Sequence, residues 1–107
     1  MYKDNIIAVV VPAYNEEEVI GNVLQRLIDM DKKWEIIVVD DGSADSTSEI
    51  CRKMGITVLK NPYNIGLGGS LKRGAREARG DILVFLDSDG QHPPEKIPEL
   101  LQHMDLY

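Results

Sequence analysis

Asp87 and Asp89 are the residues of this chain whose type and spacing most directly suggest chemistry. They follow the apolar run 83–86, and in an extended backbone side chains two positions apart leave on the same side. Two ionised carboxylates so close repel each other unless a cation lies beside them. Mg²⁺ and Mn²⁺ prefer oxygen ligands, and the amide oxygen of Gln91 is a candidate third ligand. This spacing therefore favours a divalent metal site.

Two other features of this segment exclude one type of metal site and predict the structure that follows the acidic pair. An EF-hand loop beginning at Asp87 would need Gly at position 92 and Glu at position 98, where the chain has His92 and Pro98. The EF-hand is therefore excluded, and His92 is interpreted as part of the loop. Pro93 and Pro94 prevent the strand from continuing and suit the first turn of a helix, so the segment predicts a rigid loop that leads into a helix.

Three further polar segments each follow an apolar run: PAYNEEE at 12–18, DDGSADS at 40–46 and NPYNIGLGG at 61–69. Taken singly, each has a purely structural interpretation, since Asn15 suits a helix cap, DDGS a turn and the glycines a loop. Together with the acidic pair they would meet at one edge of a parallel sheet, where α/β proteins bind ligands. The four segments thus predict a nucleotide or metal site at that edge.

The apolar runs and the helical periods between them predict the fold. Runs at 6–11, 36–39, 56–59 and 82–86 indicate buried strands, whereas apolar residues at helical spacing in 19–28 indicate the first helix. A third helix is expected at 69–79, with Leu71, Ala75 and Ala78 on its apolar side. Strands alternating with helices predict an α/β, Rossmann-like parallel sheet with helices on both faces.

Capping patterns mark two helix starts. Asn15 with Glu18, and Ser46 with Glu49, have the spacing of a capping box, in which a side chain at each position satisfies a free N–H group. We therefore expect the first and second helices to begin at these pairs.

The glycines at 66, 68 and 69 do not form a known phosphate-binding signature. A dinucleotide fingerprint beginning at Gly66 would place its third glycine at Leu71, and a P-loop beginning at Gly69 would place its lysine at Ala75. What remains is a glycine-rich turn before a helix N-terminus. Whether the cations of that helix face a phosphate or solvent stays open; they are Lys72, Arg73 and Arg76.

Composition excludes several classes of function. Twelve Lys and Arg against 18 Asp and Glu give a net charge of -6, which disfavours nucleic-acid binding. The apolar content of 43% is typical of a globular domain, and we expect a folded, soluble and cytoplasmic chain. The single Cys51 is expected to be a buried apolar residue. No run is long enough to cross a bilayer, and the chain is expected to be the front part of a longer protein.

The ordered motifs PAYNE, DDGS, N-x-G-x-G and D-S-D resemble the nucleotide-binding half of a family 2 glycosyltransferase with the GT-A fold. The stretch FLDSDGQHPPE is most similar to polyprenyl-phosphate (dolichol-phosphate) mannose and glucose synthases. The resemblance implies that Pro12, Tyr14 and Glu16 contact the donor nucleotide, and that Val39 and Asp41 meet its base and ribose.

The same resemblance assigns the metal site. It implies that Asp87 and Asp89 form the DXD motif, which binds Mg²⁺ or Mn²⁺ and through it the donor diphosphate, and that Gln91 adds a metal ligand. Ser88, which stands where that branch often has Ala, is counted with Asp87 among the donor-binding residues.

The function implied is the inverting transfer of a sugar from a GDP- or UDP-sugar to an acceptor such as polyprenyl phosphate or another glycan or lipid. The acceptor-side catalytic residues would lie beyond Tyr107, so residues 1–107 would supply the donor and metal site. A lipid acceptor would place the longer protein at the cytoplasmic face of a membrane. Whether the chain forms a homodimer stays open. The alternatives are a receiver-like signalling domain of the flavodoxin kind and a nucleotidyltransferase.

Overall fold

The computed structural model describes residues 6–87, in which four strands alternate with three helices. All four strands are parallel. In chain order the elements are β1 (Ile7–Ala13), α1 (Ile20–Met30), β2 (Glu35–Asp40), α2 (Thr47–Lys53), β3 (Thr57–Lys60), α3 (Leu67–Glu77) and β4 (Ile82–Phe85).

The strand order of the sheet is β3-β2-β1-β4. The chain builds outward from β1 to β3 on one side, and α3 then carries it back to the other side of β1. The order of strands therefore reverses between β1 and β4, and such a switch point opens a crevice at the carboxyl edge. In a flavodoxin-like sheet β1 lies between β2 and β3. The receiver-like alternative is therefore wrong for this chain.

Helices cover both faces of the sheet, as the sequence predicts. One face of β1 and β2 packs with residues of α1, and Cys51 of α2 belongs to the same core. The opposite face presents Val10, Ile37 and Val39, against which Leu59 and Ala78 pack. The larger core includes Ile7, Val9, Val11, Ala13, Ile20, Val23, Leu24, Leu27, Val38, Cys51 and Leu86.

A glycine allows α3 to approach the sheet closely. A Cβ at Gly74 would lie 2.3 Å from Cγ1 of Val10 and 3.2 Å from Cγ2 of Val39. Both valines are fully buried and β-branched, so neither side chain has room to move away. Gly74 therefore lets α3 pack directly against β1 and β2.

The expectation of four buried strands is wrong for the outer two. Leu83 and Phe85 of β4 are 41% and 50% exposed, and both end residues of β3 are exposed. Each of these strands is at an edge of the described sheet, whereas β1 and β2 are flanked on both sides. An apolar run alone does not distinguish a central strand from an edge strand.

Neither capping box forms, although α2 does begin directly after Ser46. α1 begins at Ile20 after Val19, and neither of the two N-cap residues makes a side-chain cap hydrogen bond. Asn15 instead adopts a positive φ of 52°, and its side-chain oxygen accepts a hydrogen bond from the N–H of Ala44 in the next loop. The side chain of Asn15 therefore joins two loops to each other rather than starting a helix.

The third helix also departs from the prediction. It runs two residues earlier than expected, and its most buried residues are Ser70 and Gly74. Leu71, Ala75 and Ala78 are half-buried. Small residues form the packed side because the helix lies so close to the sheet, and apolar periodicity does not identify a side made of Ser and Gly.

The prediction for Cys51 is confirmed. Cys51 is fully buried, and burial, together with the charge of Asp40, raises the pKa of its thiol to about 11. Among residues 6–87, no helix combines the length and the apolar character needed to cross a bilayer. The loop and helix expected at Pro93 and Pro94 lie outside the described residues.

Candidate donor and metal site

A cleft of about 270 Å³ lies at the carboxyl edge of the sheet, beside the switch point between β1 and β4. We call it the carboxyl-edge cleft. It brings together the chain segments that follow β1, β2, β3 and β4. It is lined by Pro12, Ala13, Tyr14, Glu16, Asp41, Asn64, Gly66, Leu67, Ser70 and Asp87.

Hydrogen bonds to side chains of the loop after β2 and of the first residue of α2 fix the segment after β1. The N–H of Asn15 donates to the hydroxyl of Ser43 at 2.8 Å, and the N–H of Glu16 donates to the hydroxyl of Thr47 at 2.9 Å. Ser43 and Thr47 are both buried, so their hydroxyls are well placed to hold these amides. The backbone that carries Tyr14 and Glu16 into the cleft is therefore fixed from outside the cleft.

Two carboxylates add a reciprocal pair of contacts between the same two segments. The N–H of Glu17 donates to the carboxylate of Asp45 at 3.2 Å, and the N–H of Ser46 donates to the carboxylate of Glu17 at 3.3 Å. Burial raises the pKa of Asp45, but hydrogen bonds from Thr47 and Glu17 outweigh it and leave the pKa below its ordinary value. Asp45 is thus held ionised as an acceptor for the two loops.

The first acid of the DDGS segment is structural. Asp40 is fully buried, and its carboxylate accepts hydrogen bonds from the N–H of Ser43 at 2.9 Å and from the hydroxyl of Ser48. These contacts tie the end of β2 to the start of α2. A buried carboxylate is tolerated when its oxygens are satisfied in this way.

The second acid, Asp41, anchors the loop that begins α3. Its carboxylate accepts hydrogen bonds from the N–H groups of Ile65 at 2.8 Å and Gly66 at 2.9 Å, and from the side-chain amide of Asn61 at 2.9 Å. Burial alone would raise the pKa of Asp41, but these donors and the hydroxyl of Ser70 lower it below the ordinary value. Asp41 is therefore a fixed negative charge at the wall of the cleft.

Gly66 turns this loop into the helix. Its φ of 96° lies in the region that residues with a side chain rarely adopt, and it immediately precedes α3. Its N–H points to Asp41, while its carbonyl accepts from the N–H of Ser70. The glycine thus lets one loop satisfy a carboxylate and start a helix in the same turn.

Asp87 enters the cleft from β4. The N–H of Leu86 donates to the carbonyl of Val10 at 3.0 Å, so the end of β4 remains joined to β1. Asp87 is the next residue, is exposed, and lines the cleft together with residues of the segment after β1. The strand therefore delivers this carboxylate to the predicted edge.

The structure describes the metal set in part. Asp89, Gln91 and the donor residue Ser88 lie outside the described residues. Within the described range of 6–87, no group of three His, Cys, Asp or Glu side chains is arranged to hold a metal ion. Asp87 is the one member of the predicted set whose position is described, and its oxygen donor is of the type that a hard cation prefers.

The acceptor side of the predicted site is not tested by the described residues. Tyr107, beyond which the catalytic residues for the acceptor are expected, itself lies outside the range 6–87. The expectation that these residues follow Tyr107 in a longer protein therefore stays a prediction.

Most of the predicted donor residues that the structure describes lie together. The cleft includes Pro12, Tyr14, Glu16, Asp41 and Asp87. The contacts that each makes with a donor stay predictions.

Val39 is placed differently. It is fully buried on the α3 face of the sheet, among Val10 and Ile37, and does not line the cleft. The resemblance alone assigns it to the donor base, and that role also stays a prediction.

Sequence reasoning missed the part of the cleft formed by the start of α3. Leu67 and Ser70 line it although neither was proposed as a candidate; Asn64, which begins the N-x-G-x-G motif, lines it beside them. The signal that was available is the glycine-rich turn before a helix, which indicates a backbone close to a ligand. It does not indicate which side chains of the following helix turn inward.

The electrostatics of the cleft determine what it can bind. Glu16, Asp41 and Asp87 bring three carboxylates to a cleft whose described lining contains no Lys, Arg or His. Such a surface repels a diphosphate unless a cation neutralises part of the charge. Its chemistry therefore suits a cation, or an anion that brings a cation with it.

A second cleft lies at the opposite, amino edge of the sheet. It has a volume of about 380 Å³ and is lined in part by Trp34, Met54 and Ile56. It is larger, but it lies away from the switch point and from the ends of the strands where α/β sheets bind ligands. We call it the amino-edge cleft.

Known proteins resemble this chain in sequence and in fold. The model of the family described as "Glycosyl transferase family 2" matches residues 8–107. Among curated relatives, the chain is 37% identical over 102 residues to a dolichol-phosphate mannosyltransferase of Pyrococcus furiosus, covering 90% of this chain and 29% of that one. It is 37% identical over 110 residues to an undecaprenyl-phosphate 4-deoxy-4-formamido-L-arabinose transferase of Edwardsiella ictaluri, covering 92% and 34%.

Solved structures show the same fold. Glucosyl-3-phosphoglycerate synthase from Mycobacterium tuberculosis, in complex with Mn²⁺, UDP and glucosyl-3-phosphoglycerate, matches with a TM-score of 0.83 and 32% identity, over 96% of this chain and 40% of that one. A mannosyltransferase from Pyrobaculum calidifontis, in complex with GDP-Man and Mn²⁺, matches with a TM-score of 0.75 and 29% identity, over 79% and 28%.

The matches cover a small part of the relatives but most of this chain. The chain spans about a third of the length of these two curated relatives. The family match, in contrast, covers nearly the whole chain, from β1 to its last residue. The predicted GT-A type of fold is therefore confirmed, and this chain belongs to glycosyl transferase family 2.

Proposed function

We propose that this chain binds the nucleoside diphosphate of a sugar donor in the carboxyl-edge cleft, as the donor-binding part of a glycosyltransferase. One observation carries the proposal. Glu16, Asp41 and Asp87 reach the same cleft from the ends of three parallel strands, at the point where the strand order reverses. The complexes of the two structural relatives with UDP or GDP-Man support it, because the first ligand is a nucleoside diphosphate and the second is a nucleoside-diphosphate sugar.

The chemistry of the cleft agrees with a divalent cation as the cofactor. Asp87, with Asp89 and Gln91, would provide oxygen ligands, and the donor diphosphate would complete the metal's coordination. When bound, the cation supplies charge stabilisation for the departing diphosphate. The Mn²⁺ in both structural relatives supports this cofactor, and Mg²⁺ fits the same oxygen donors.

The described residues would act by placing the donor. The fixed segment after β1 would set one wall for the nucleotide, and Asp41 would set another through the loop that it anchors. In the proposed reaction an acceptor oxygen bonds to the anomeric carbon from the side opposite the diphosphate. The bond from that carbon to the diphosphate oxygen breaks, and the configuration of the anomeric carbon is inverted. Holding the donor rigidly favours this in-line geometry.

The acceptor is proposed to be a polyprenyl phosphate. The names of two curated relatives support this class, since one is a dolichol-phosphate and the other an undecaprenyl-phosphate sugar transferase. A phosphate oxygen is already anionic, so its attack would need less help from a base than that of a hydroxyl. The acceptor site would belong to the part of a longer protein that follows Tyr107, which would act at a membrane surface.

Calorimetric titration tests the donor proposal. UDP and GDP are each added to the chain in Mn²⁺, in Mg²⁺ and in EDTA, and we expect one of them to bind with an affinity that falls at least about tenfold without metal. Asp87→Asn should weaken the metal-dependent binding. Asp29→Asn, which changes an exposed carboxylate on α1, provides the matched control. Binding of neither nucleotide, or equal binding in EDTA, would contradict the proposal.

A further inference from the structure

Arg73 of α3 reaches toward the buried wall of the carboxyl-edge cleft. We propose that Arg73 is a positioning residue of the donor site, acting through Asn61 on Asp41 and on the loop that begins α3. The inference rests on the proposed function, because it assigns a task within the donor-binding cleft. Of the three cations of this helix, Arg73 is the one whose side chain contacts a buried residue at the end of the sheet.

We call the contacts that run from Arg73 through Asn61 to Asp41 the relay. Its first contact joins α3 to the residue after β3. The Nη1 of Arg73 donates to the Oδ1 of Asn61 at 2.6 Å. Asn61 is 2% exposed, and its own N–H donates to the carbonyl of Asp40 at 2.8 Å. The guanidinium therefore meets an amide that is already fixed at the end of the sheet.

The second contact carries the relay to the cleft. The Nδ2 of Asn61 donates to Asp41 at 2.9 Å and to the hydroxyl of Ser70 at 3.2 Å. Asp41 and Ser70 both line the cleft. Asp41 in turn accepts from the N–H groups of Ile65 and Gly66. The side-chain amide of Asn61 thus lies between a charged group on the helix and a charged group on the cleft wall.

The chemistry of the two ends fixes the orientation of that amide. A guanidinium can only donate hydrogen bonds, and an ionised carboxylate can only accept them. The oxygen of Asn61 must therefore face Arg73, and its NH₂ group must face Asp41. Without Arg73 the amide loses one of the two contacts that favour this orientation over the flipped one, and the carbonyl oxygen of its side chain loses its charged donor. Arg73 thereby keeps Asp41 and the loop at Gly66 in one arrangement.

The other two cations of the helix lie in more exposed positions than Arg73. Lys72 and Arg76 are exposed, whereas Arg73 is half-buried. Arg76 lies on the same helix less than one turn further on and carries the same side chain. It is therefore a matched control for the loss of a guanidinium from α3.

Two measurements on the complete 107-residue chain separate positioning from general stability. The first is amide hydrogen exchange by NMR, without ligand, at Ile65 and Gly66. The second is the dissociation constant of UDP and of GDP in Mn²⁺, measured at a temperature where every variant is folded. The variants are Arg73→Leu, Arg73→Gln, Arg73→Lys and Arg76→Leu. Should Arg73→Leu fail to fold, Arg73→Gln takes its place.

We expect Arg73→Leu and Arg73→Gln to speed exchange at Gly66 and to weaken nucleotide binding, each by about tenfold, the size of one lost charge-assisted hydrogen bond. Arg73→Lys should keep exchange and affinity close to those of the unaltered chain, because an ammonium can also donate to Asn61. Arg76→Leu should leave both unchanged.

Other outcomes overturn the inference in different ways. Equal exchange and affinity in Arg73→Leu and Arg76→Leu would show that the relay has no effect. Faster exchange with unchanged affinity would show that the relay is structural and does not position the donor site. If the unaltered chain binds neither nucleotide, the proposed function fails, and with it the donor-site role of Arg73; the exchange comparison then reports on the loop alone.

Discussion

The N–H of Asn15 lies 2.8 Å from the hydroxyl of Ser43, so a residue that follows β1 is held by a residue that follows β2. The return contact runs from the N–H of Ala44 to the side-chain oxygen of Asn15. Asn15 keeps its positive φ within this pair of contacts. Since Tyr14 and Glu16 flank Asn15, their position in the cleft depends on a residue that is itself outside the cleft lining.

Removing the hydroxyl of Ser43 should loosen the segment after β1. We expect Ser43→Ala to lower the free energy of unfolding by about 1 kcal/mol and to speed hydrogen exchange at the Asn15 amide. Chemical denaturation and NMR exchange measure the two effects. Ser46→Ala is the matched control, because Ser46 is exposed and makes no side-chain cap hydrogen bond. An equal loss in Ser46→Ala would instead support the capping box that the sequence suggests.

The charge of Asp41 should make stability depend on pH in the acid range. Its pKa is lower in the folded chain than its ordinary value of 3.8, so the unfolded chain binds more protons as the pH falls. The stabilisation is therefore fully present above about pH 5 and is lost as the pH falls through the folded pKa. Urea denaturation at pH 7 and at pH 3 measures this loss.

Asp41→Asn should remove the share of that dependence that Asp41 contributes, while the share of Asp45 remains. We expect it to be less stable than the unaltered chain by about 1 to 3 kcal/mol at pH 7, because N–H groups of the loop lose a charged acceptor. The difference should shrink at pH 3. Asp29→Asn, at an exposed position, should follow the unaltered chain at both pH values. A difference that stays constant with pH would show that the charge of Asp41 does not stabilise the fold.

The close approach of α3 to the sheet should make Gly74 intolerant of a side chain. We expect Gly74→Ala to lower the free energy of unfolding by about 1 to 3 kcal/mol, because its Cβ would overlap Val10. Gly68→Ala provides the control in the same helix, since nothing lies within 4 Å of its added Cβ. It should raise stability by up to about 0.5 kcal/mol through lower chain entropy. Equal effects at the two positions would contradict the packing described for α3.

Sequence patterns predicted the fold well because each pattern reports a local physical requirement. The runs that form β1 and β2 are apolar because both faces of these strands are covered, and the alternation with helices predicts the parallel sheet. The exposed Leu83 and Phe85 could not be predicted, since exposure depends on the position of β4 at the edge. That position is a property of the whole sheet, which no single run encodes.

The site was predictable where it depends on strand ends and less so elsewhere. Asp41 directly follows β2 and Asp87 lies two residues after β4, so topology alone brings them to one edge. The contacts of Asn15 and Arg73 depend on side chains that meet from distant parts of the chain. The sequence therefore favoured a cap for Asn15 and left Arg73 open between a phosphate and solvent.

Paramagnetic broadening by Mn²⁺ tests the central claim most directly, because it shows where a metal and nucleotide bind. Amide spectra of the chain are recorded with UDP or GDP in Mg²⁺, and small amounts of Mn²⁺ are then added. We predict that signals of Tyr14, Gly66 and Asp87 broaden in the presence of nucleotide, while those of Trp34 and Met54 in the amino-edge cleft stay sharp. Broadening confined to the amino-edge cleft, or the same broadening with and without nucleotide, would contradict a metal-dependent donor site at the carboxyl edge.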